Sequence, residues 1–392
     1  MNIPVIVSAV RTPIGSFLGD LSIIPATKLG AYVIKEAVIR ANIRPEDISE
    51  VIMGCVYQAG LRQAPARQAS IYAGLPYWVP CMTINKVCGS GLKSVMLAAQ
   101  AIQTGDADIA AAGGFESMSN VPYYLKKIRT GQRMGHDKIY DGLLEDGLLD
   151  AYNENMHMGN GAELCSRELN ISRKEQDEYA VNSYKKTLDA MKNGLFKEEI
   201  IPVKYRTTKE AIEIFEDEEP KKFNPDKGLK LKPAFENSGT VTAFNASKIN
   251  DGASALIIMS EEKSKELQIT PLARIISQLT YAQQPEWFTT APAYAIQKIL
   301  KKTGLTMNDI DLFEVNEAFS VVALATVKLT GLPTEKLNVN GGAVALGHPV
   351  GASGARILTT LIYALKQRKL KRGLATLCIG GGEASAVIIE IA

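Results

Sequence analysis

The chain reads as an α/β protein built from two pseudo-repeated halves with a separate lobe inserted between them. Three observations predict this. β-Branched runs of strand length alternate with stretches of helical period, the order that builds a sheet covered on both faces. Segments of the first third return in the same order near the C terminus, at an offset of about 262 to 268 residues. Between the copies, from about Val121 to Phe244, the texture becomes more charged and richer in Tyr and Asn, with weaker strand signals.

Taken in order, Pro4-Val5-Ile6-Val7-Ser8-Ala9-Val10 is a buried first strand, closed by the turn residues Arg11-Thr12-Pro13-Ile14-Gly15. Apolar residues recur with helical period from about Ala26 to Arg40. Pro45-Glu46-Asp47-Ile48 then leads into a second strand, Val51-Ile52-Met53-Gly54, and Gln63 to Ala73 predicts another helix. An extended approach through Ile84, Asn85, Lys86 and Val87 reaches Cys88 and the Gly89-Ser90-Gly91 turn, which opens into a helix running past Ile102. Asp108-Ile109-Ala110-Ala111-Ala112-Gly113-Gly114 is a further buried strand, followed by Phe115-Glu116-Ser117-Met118-Ser119. This alternation predicts a mainly parallel sheet.

In the inserted lobe one helix stands out, Arg173 to Asn193, because Ser172 is followed three residues later by Glu175 in a capping-box pattern. Glu213 to Lys222 is acidic and then basic. It reads as a solvated charged surface, with phosphate contact from Lys221 or Lys222 as the alternative. In the second copy, Met307 to Val315 echoes Pro45 to Met53, Ser353-Gly354-Ala355-Arg356 echoes Ser90-Gly91-Leu92-Lys93, and Ile379 to Ser385 echoes Ala112 to Ser117. Two copies packed together place equivalent loops around a shared cleft. The predicted division is 1–120 with about 245–270, then 121–244, then 271–392.

At 392 residues the chain has ample length for a large core. Its 46% hydrophobic and 22% charged residues leave a net charge of only +2, which argues against a nucleic-acid partner. The start, Met1-Asn2-Ile3-Pro4, lacks the marks of a signal or transit peptide, and no apolar run reaches membrane-spanning length. Five thinly spread cysteines do not form a disulfide framework, so a cytoplasmic setting is expected.

Cys88 is the first candidate for chemistry. It precedes a helix N-terminus, where unpaired N–H groups and the macrodipole favour a thiolate, while Gly89 and Gly91 leave room for a substrate and Ser90 offers a cap. A buried structural cysteine is the bland alternative. Three other stretches bear on it. Asn340-Gly341-Gly342-Ala343-Val344-Ala345-Leu346-Gly347-His348-Pro349-Val350-Gly351 sets one of three histidines in a glycine-rich loop before a helix, a place suited to pairing with a thiolate as an imidazolium. Leu377-Cys378-Ile379-Gly380-Gly381-Gly382 puts a second cysteine at a strand end with free N–H groups after it, and Asn316-Glu317-Ala318-Phe319 offers an amide. No Cys-x-x-Cys or His-x-x-x-His spacing supports a metal.

Together with Asn245-Ala246-Ser247 and Asn250-Asp251-Gly252-Ala253, these blocks resemble the thiolase family over essentially the whole chain, and within it the biosynthetic acetyl-CoA C-acetyltransferase branch. The resemblance implies two α/β/α/β/α-layered halves with an inserted coenzyme-binding loop domain. It implies reversible Claisen condensation of two acetyl-CoA to acetoacetyl-CoA and CoA. Cys88 is then acylated, His348 activates it, and Cys378 moves the proton of the second substrate. One oxyanion hole is implied at His348 and a water on Asn316, the other at the N–H groups of Cys88 and Gly380. Coenzyme and substrate contacts fall by resemblance on Leu148, His157, Met158, Lys221, Ala234, Phe235, Ser247, Phe288, Ala318 and Phe319.

No resident cofactor or metal is required. Relatives with a similar neighbourhood hold potassium, which would lie near Tyr184, Ala243, Phe244, Ala246 and Val344. A homotetramer or dimer is implied in the same way. Gly161, Phe244 and Glu383 depart from common family residues, and Phe288 stands where many bacterial relatives have methionine; these bear on substrate fit. Three competing readings remain: a degradative 3-ketoacyl-CoA thiolase of broader chain length, a carrier-protein condensing enzyme, and an idle scaffold. A second reactive cysteine speaks against the condensing enzyme, and four intact chemical residues speak against the scaffold.

Overall fold

The structure, a computed structural model, describes residues 2–153, 156–206 and 211–392. Nine strands carry the main sheet: β1 Pro4–Arg11, β2 Glu50–Gly54, β3 Cys81–Ile84, β4 Ile109–Ser117, β5 Asn250–Ser260, β6 Ala273–Ala282, β7 Leu312–Val315, β8 Arg372–Ile379 and β9 Glu383–Ile391. Their order is β7-β8-β9-β6-β1-β5-β4-β2-β3, with the short strand Gly15–Ser16 beside β5. Eight helices matter here: α1 Ala26–Arg40, α2 Pro65–Ala73, α3 Ser90–Thr104, α4 Met158–Glu168, α5 Arg173–Lys192, α6 Ala291–Thr303, α7 Ser320–Thr330 and α8 Val350–Arg368.

The expectation of a mainly parallel sheet is corrected. Only β2 with β3 and β4, and β7 with β8, run parallel. All other neighbours in the main sheet are antiparallel. The reason lies in the connections, since a strand returns parallel only where a helix crosses over. A tight glycine turn joins β8 to β9 and reverses direction, and the long excursion through the lobe brings β5 back against both β1 and β4.

The repeat is visible in this topology. β2, β4, β5 and β1 of the first half have the same mutual directions as β7, β8, β9 and β6 of the second, and β1 joins β6 through Val5 and Ile6. Side chains alternate faces along each strand, so both faces must find cover. In β4, Ile109, Ala111 and Phe115 enter an outer core under α1 and α2, while Ala110 and Ala112 enter a central core around α3 and α8. In β9, Ala384, Ala386 and Ile388 face an outer core with α6, and Val387 and Ile389 face the central one. The layers therefore run helix, sheet, helix, sheet, helix.

The central helix α8 is buried without interruption from Val350 to Leu365, as a helix between two sheets must be. Each large aliphatic side chain placed there contributes about 1.5–3 kcal/mol. α3 and α8 cross at glycines: a Cβ on Gly91 would sit 2.9 Å from the Ala355 nitrogen, and one on Gly354 would sit 2.3 Å from the Leu92 nitrogen. That close approach brings the N-terminal ends of the two helices together.

The inserted stretch holds α4, α5 and two small ribbons, Tyr123–Tyr124 with Tyr140–Asp141 and Val203–Arg206 with Ala211–Ile214. The Ser172–Glu175 capping box forms as expected, and α5 ends at Lys192. The stretch is fastened to the end of β1 by the fully buried Arg11, which donates to Glu199 at 2.6 Å and to Asp217 at 2.7 Å.

Candidate active site

A cavity of about 300 Å³ opens where the two central helices begin. Cys88, His348, Cys378 and Gly380 all line it, so residues separated by most of the chain converge on one space. Of the residues expected to touch coenzyme or substrate, Leu148, His157, Met158, Ala234, Phe235, Ser247, Phe288, Ala318 and Phe319 line the same cavity. Lys221 does not. It is half exposed and pairs with Glu216 at 2.7 Å, in the solvated charged surface that the composition suggested.

Cys88 stands two residues before α3, after Val87, whose φ of 45° turns the chain sharply. Ser90 does not cap the helix; this expectation is corrected. Ser90 is already the first helical residue, and its hydroxyl accepts from Lys86 N at 2.8 Å and donates to Val87 O at 2.7 Å. It ties down the loop that presents the sulfur. The backbone N–H groups of Gly380 and of Cys88 itself act on the thiol to favour its ionised form. Gly380 is held by the β8–β9 turn, in which Gly381 and Gly382 take φ values of 88° and 83°, left-handed positions that favour glycine.

Cys378, 1% exposed, ends β8 beneath Met158, Phe288 and Phe319. Burial raises its thiol pKa well above the ordinary value, with the neighbouring Cys88 adding to the effect. The cavity wall is aromatic: the His157 ring stacks on Phe235 at 4.8 Å, Phe235 meets Phe319 edge-on at 6.3 Å, and Phe288 tilts against Phe319 at 6.4 Å.

His348 is fixed from two sides. Its N–H donates to Asn250 Oδ1 at 2.9 Å, and Asn250 Nδ2 donates in turn to Gly15 O at 2.9 Å. In the ring, Nδ1 lies 2.6 Å from Ser353 Oγ, whose own hydroxyl donates to Pro349 O at 2.9 Å. With that proton committed, Ser353 accepts from Nδ1–H, which leaves Nε2 as a bare acceptor. Among the described residues Nε2 has no protein partner, and the ring lines the cavity. Asn316 lies behind the ring with Nδ2 3.4 Å from Nδ1, and Arg356 Nη2 lies 3.4 Å from Asn316 Oδ1.

The expected thiolate beside an imidazolium is not the resting state. Burial pushes Cys88 up to about 11, although Gly380 and Cys88 N–H groups pull the other way, and Glu116 pushes it up further. Cys88 keeps partial exposure through the cavity, which moderates this shift without reversing it. Burial, and after it the Arg356 guanidinium, push His348 down to about 3. A neutral thiol and a neutral imidazole thus share the cavity. The helix N-terminus loses because desolvation of the charged form outweighs its few donors.

Of the residues expected near potassium, Ala246 and Val344 have carbonyls that accept from Lys248 Nζ, at 2.6 and 3.2 Å.

Sequence reasoning missed Met118, Lys248, Val350, Ser353, Arg356 and Glu116. Ser353 was readable only as a helix start, although its spacing of five from His348 crosses one helical turn back onto the loop. Glu116, fully buried, accepts from Val56 N, Tyr57 N and Gly351 N at 2.9, 3.1 and 2.9 Å, which fastens the first half to the start of α8.

Residues 4–262 match the thiolase N-terminal domain and residues 269–391 the thiolase C-terminal domain. An acetyl-CoA acetyltransferase of Schizosaccharomyces pombe is 52% identical over 387 residues, covering 98% of each chain. A mitochondrial acetyl-CoA acetyltransferase of Bos taurus is 50% identical, covering 100% of this chain and 92% of its own. The crystal structure of the Bacillus anthracis acetyl-CoA acetyltransferase superposes with a TM-score of 0.98 at 42% identity, covering 100% of this chain and 99% of that one.

Proposed function

The chain belongs to the thiolase family, and from that premise we propose that it is an acetyl-CoA C-acetyltransferase working through an acetyl-Cys88 intermediate. It joins two acetyl-CoA into acetoacetyl-CoA and CoA, reversibly and in two half-reactions. The carrying observation is the convergence of Cys88, Gly380, the Cys378 thiol and His348, whose Nε2 is unpartnered among the described residues, on one cavity. Coenzyme A thioesters are the substrates, and the chemistry needs no permanent cofactor.

In the first half-reaction Cys88 Sγ attacks the thioester carbon while its proton passes to His348 Nε2. Oxyanion charge is met by the N–H groups of Cys88 and Gly380, donors of a kind worth roughly 3–4 kcal/mol each. The bond to the coenzyme sulfur breaks, and the departing thiolate takes the Cys378 proton. Cys378 is then a thiolate base. It removes a methyl proton from the second acetyl-CoA, whose carbanion attacks the acetyl carbon on Cys88 while the enolate oxygen is held by His348 and a water on Asn316. The C–S bond to Cys88 breaks, and the sulfur recovers its proton from His348. All three groups end as they began.

Neutral resting partners suit this scheme, because Cys88 and Cys378 hold the protons that the two half-reactions move and His348 Nε2 is free to accept one. Leu148, His157, Met158, Ala234, Phe235, Ser247, Phe288, Ala318 and Phe319 are assigned to the coenzyme arm and acyl group, supported by their shared cavity. The division into 1–120 with about 245–270, 121–244 and 271–392 is proposed alongside, as are a cytoplasmic location, a role in lipid metabolism and a homotetramer or dimer. Support for the oligomer is the edge strand β3, which among the described residues has no further strand beside it. Among the described residues no helix is long and apolar enough to cross a membrane.

Incubation with acetyl-CoA should add one acetyl mass, and peptide mapping should place it on Cys88. A label on Cys55, Cys81 or Cys165 overturns the assignment. Turnover of acetoacetyl-CoA should far exceed that of a long-chain 3-ketoacyl-CoA; the reverse ranking makes the enzyme a degradative thiolase of broader range.

A further inference from the structure

Lys248 is the one lysine or arginine among the described residues that line the cavity. Its Nζ donates to two main-chain carbonyls, Ala246 O at 2.6 Å and Val344 O at 3.2 Å. It also lies 5.7 Å from the centre of the buried Tyr184 ring, which packs against Phe223 at 4.7 Å and Phe244 at 5.8 Å. Carbonyl oxygens and an aromatic face are ligands for a weakly hydrated monovalent cation as much as for an ammonium.

The two carbonyls belong to different walls. Ala246 sits in the loop that also gives Ala243, Ser247 and Ile249 to the cavity. Val344 sits in the short helical turn Ala343–Leu346, two residues before His348. That turn is anchored from its other side, where Val344 N donates to Glu317 Oε2 at 3.1 Å. Glu317 is held by Ser183 at 2.7 Å and Tyr179 at 2.8 Å. One ammonium thus fastens the coenzyme loop to the histidine loop.

We propose that Lys248 is a tethered cation, a positioning residue that fills the place of a free monovalent ion between these walls and makes coenzyme binding independent of potassium. This rests on reading the cavity as the coenzyme site. Burial pushes the Lys248 pKa down to about 8, with Glu219 and Glu317 opposing the shift, so the ammonium still holds most of its charge at neutral pH. A covalently attached cation brings no ion-binding equilibrium, and the loop is ordered whenever the chain is folded.

The test compares KCl with tetramethylammonium chloride at equal ionic strength, tetramethylammonium being too large for the position. For the wild type, the melting temperature should agree within about 1 °C and the KM for acetyl-CoA within about 1.5-fold. In Lys248→Ala, KM should rise about tenfold in tetramethylammonium with a much smaller change in kcat, and KCl or methylammonium should restore KM and raise the melting temperature. A wild type stabilised or activated by potassium overturns the proposal, as does a Lys248→Ala enzyme with unchanged KM and no response to cations. If that variant does not fold, the wild-type titration alone decides. The melting measurement needs no turnover, so a failure of the acetyltransferase reading leaves it independently readable.

Discussion

The two halves of the molecule place the same strand against the same neighbours and finish it differently. In the parallel ladders Glu50 stands opposite Ala110, and its repeat partner Leu312 stands opposite Gly373. Counted from there, Cys378 of β8 occupies the place of Phe115 of β4, which corrects by four residues the glycine echo of Ile379 with Ala112. Phe115 is fully buried and fills its space against α1, where a Cβ on Gly30 would come within 2.4 Å of the ring. Cys378 is as deeply buried but lines the cavity. Duplication supplied one backbone twice. Chemistry arose where one copy left the position unfilled and put a small titratable group there.

The sharpest break of the comparison is at the nucleophile, which has no counterpart in the second half. Cys88→Ser should lower condensation by about 10⁴-fold or more and abolish exchange of labelled CoA into acetyl-CoA. Retained exchange would return the site to an unassigned cavity. Next come the paired strand positions. Cys378→Ala should lower condensation about 10²- to 10⁴-fold while Cys88 still takes up an acetyl group, with little change in melting temperature. Phe115→Ala should do the opposite, costing about 3–5 kcal/mol in urea unfolding while the folded fraction keeps its turnover per site. If both variants lose stability and activity alike, the two positions are not divided between packing and chemistry.

A smaller effect is expected at Ser353, which fixes the ring tautomer of His348. Ser353→Ala should lower kcat about 10- to 100-fold with KM nearly unchanged, and Ser353→Thr should restore part of it. pH gives the mildest test. With Cys88 at about 11, alkylation by iodoacetamide should climb roughly tenfold per unit through the neutral range, without a plateau below pH 9. A plateau near pH 7 would mean an ion pair. Stability has a defined sign as well: His348 is held neutral in the fold at about 3 and titrates near 6.5 when unfolded. Its contribution is present above about pH 6.5 and is lost as pH falls toward 3, and His348→Asn should flatten that part of the acid-unfolding curve.

Local signals were legible because they need only neighbours. The first strand, α1 over Ala26–Arg40 and the Ser172 capping box follow from period and cap chemistry. The order of repeats was readable from echoes, and the four chemical residues stood out as cysteine, histidine and amide in glycine-rich settings. Strand direction was not readable, because it depends on whether a connection crosses a face or turns back, and the lobe hides that for β5. The protonation of Cys88 and His348 was misjudged for a related reason. A helix start is written in the sequence, whereas the depth of protein around a sulfur is set by elements hundreds of residues away. Lys248 escaped notice because a lysine next to a serine in a loop resembles any solvated charge until its carbonyl partners are located.

The glycine crossing of α3 and α8 has a consequence for how the chain reaches its active form. Gly91 and Gly354 meet only when both halves have formed and docked, so the contact spans a sequence separation that folding closes late. Cys88 comes from the earlier helix and His348 from the later one. A chain whose second half has not yet formed carries its thiol without the His348 base, the Cys378 thiol or the Gly380 donor. Catalytic competence is therefore a property of the final docking step, and the gain of acetyl transfer during refolding is a clock for that step alone.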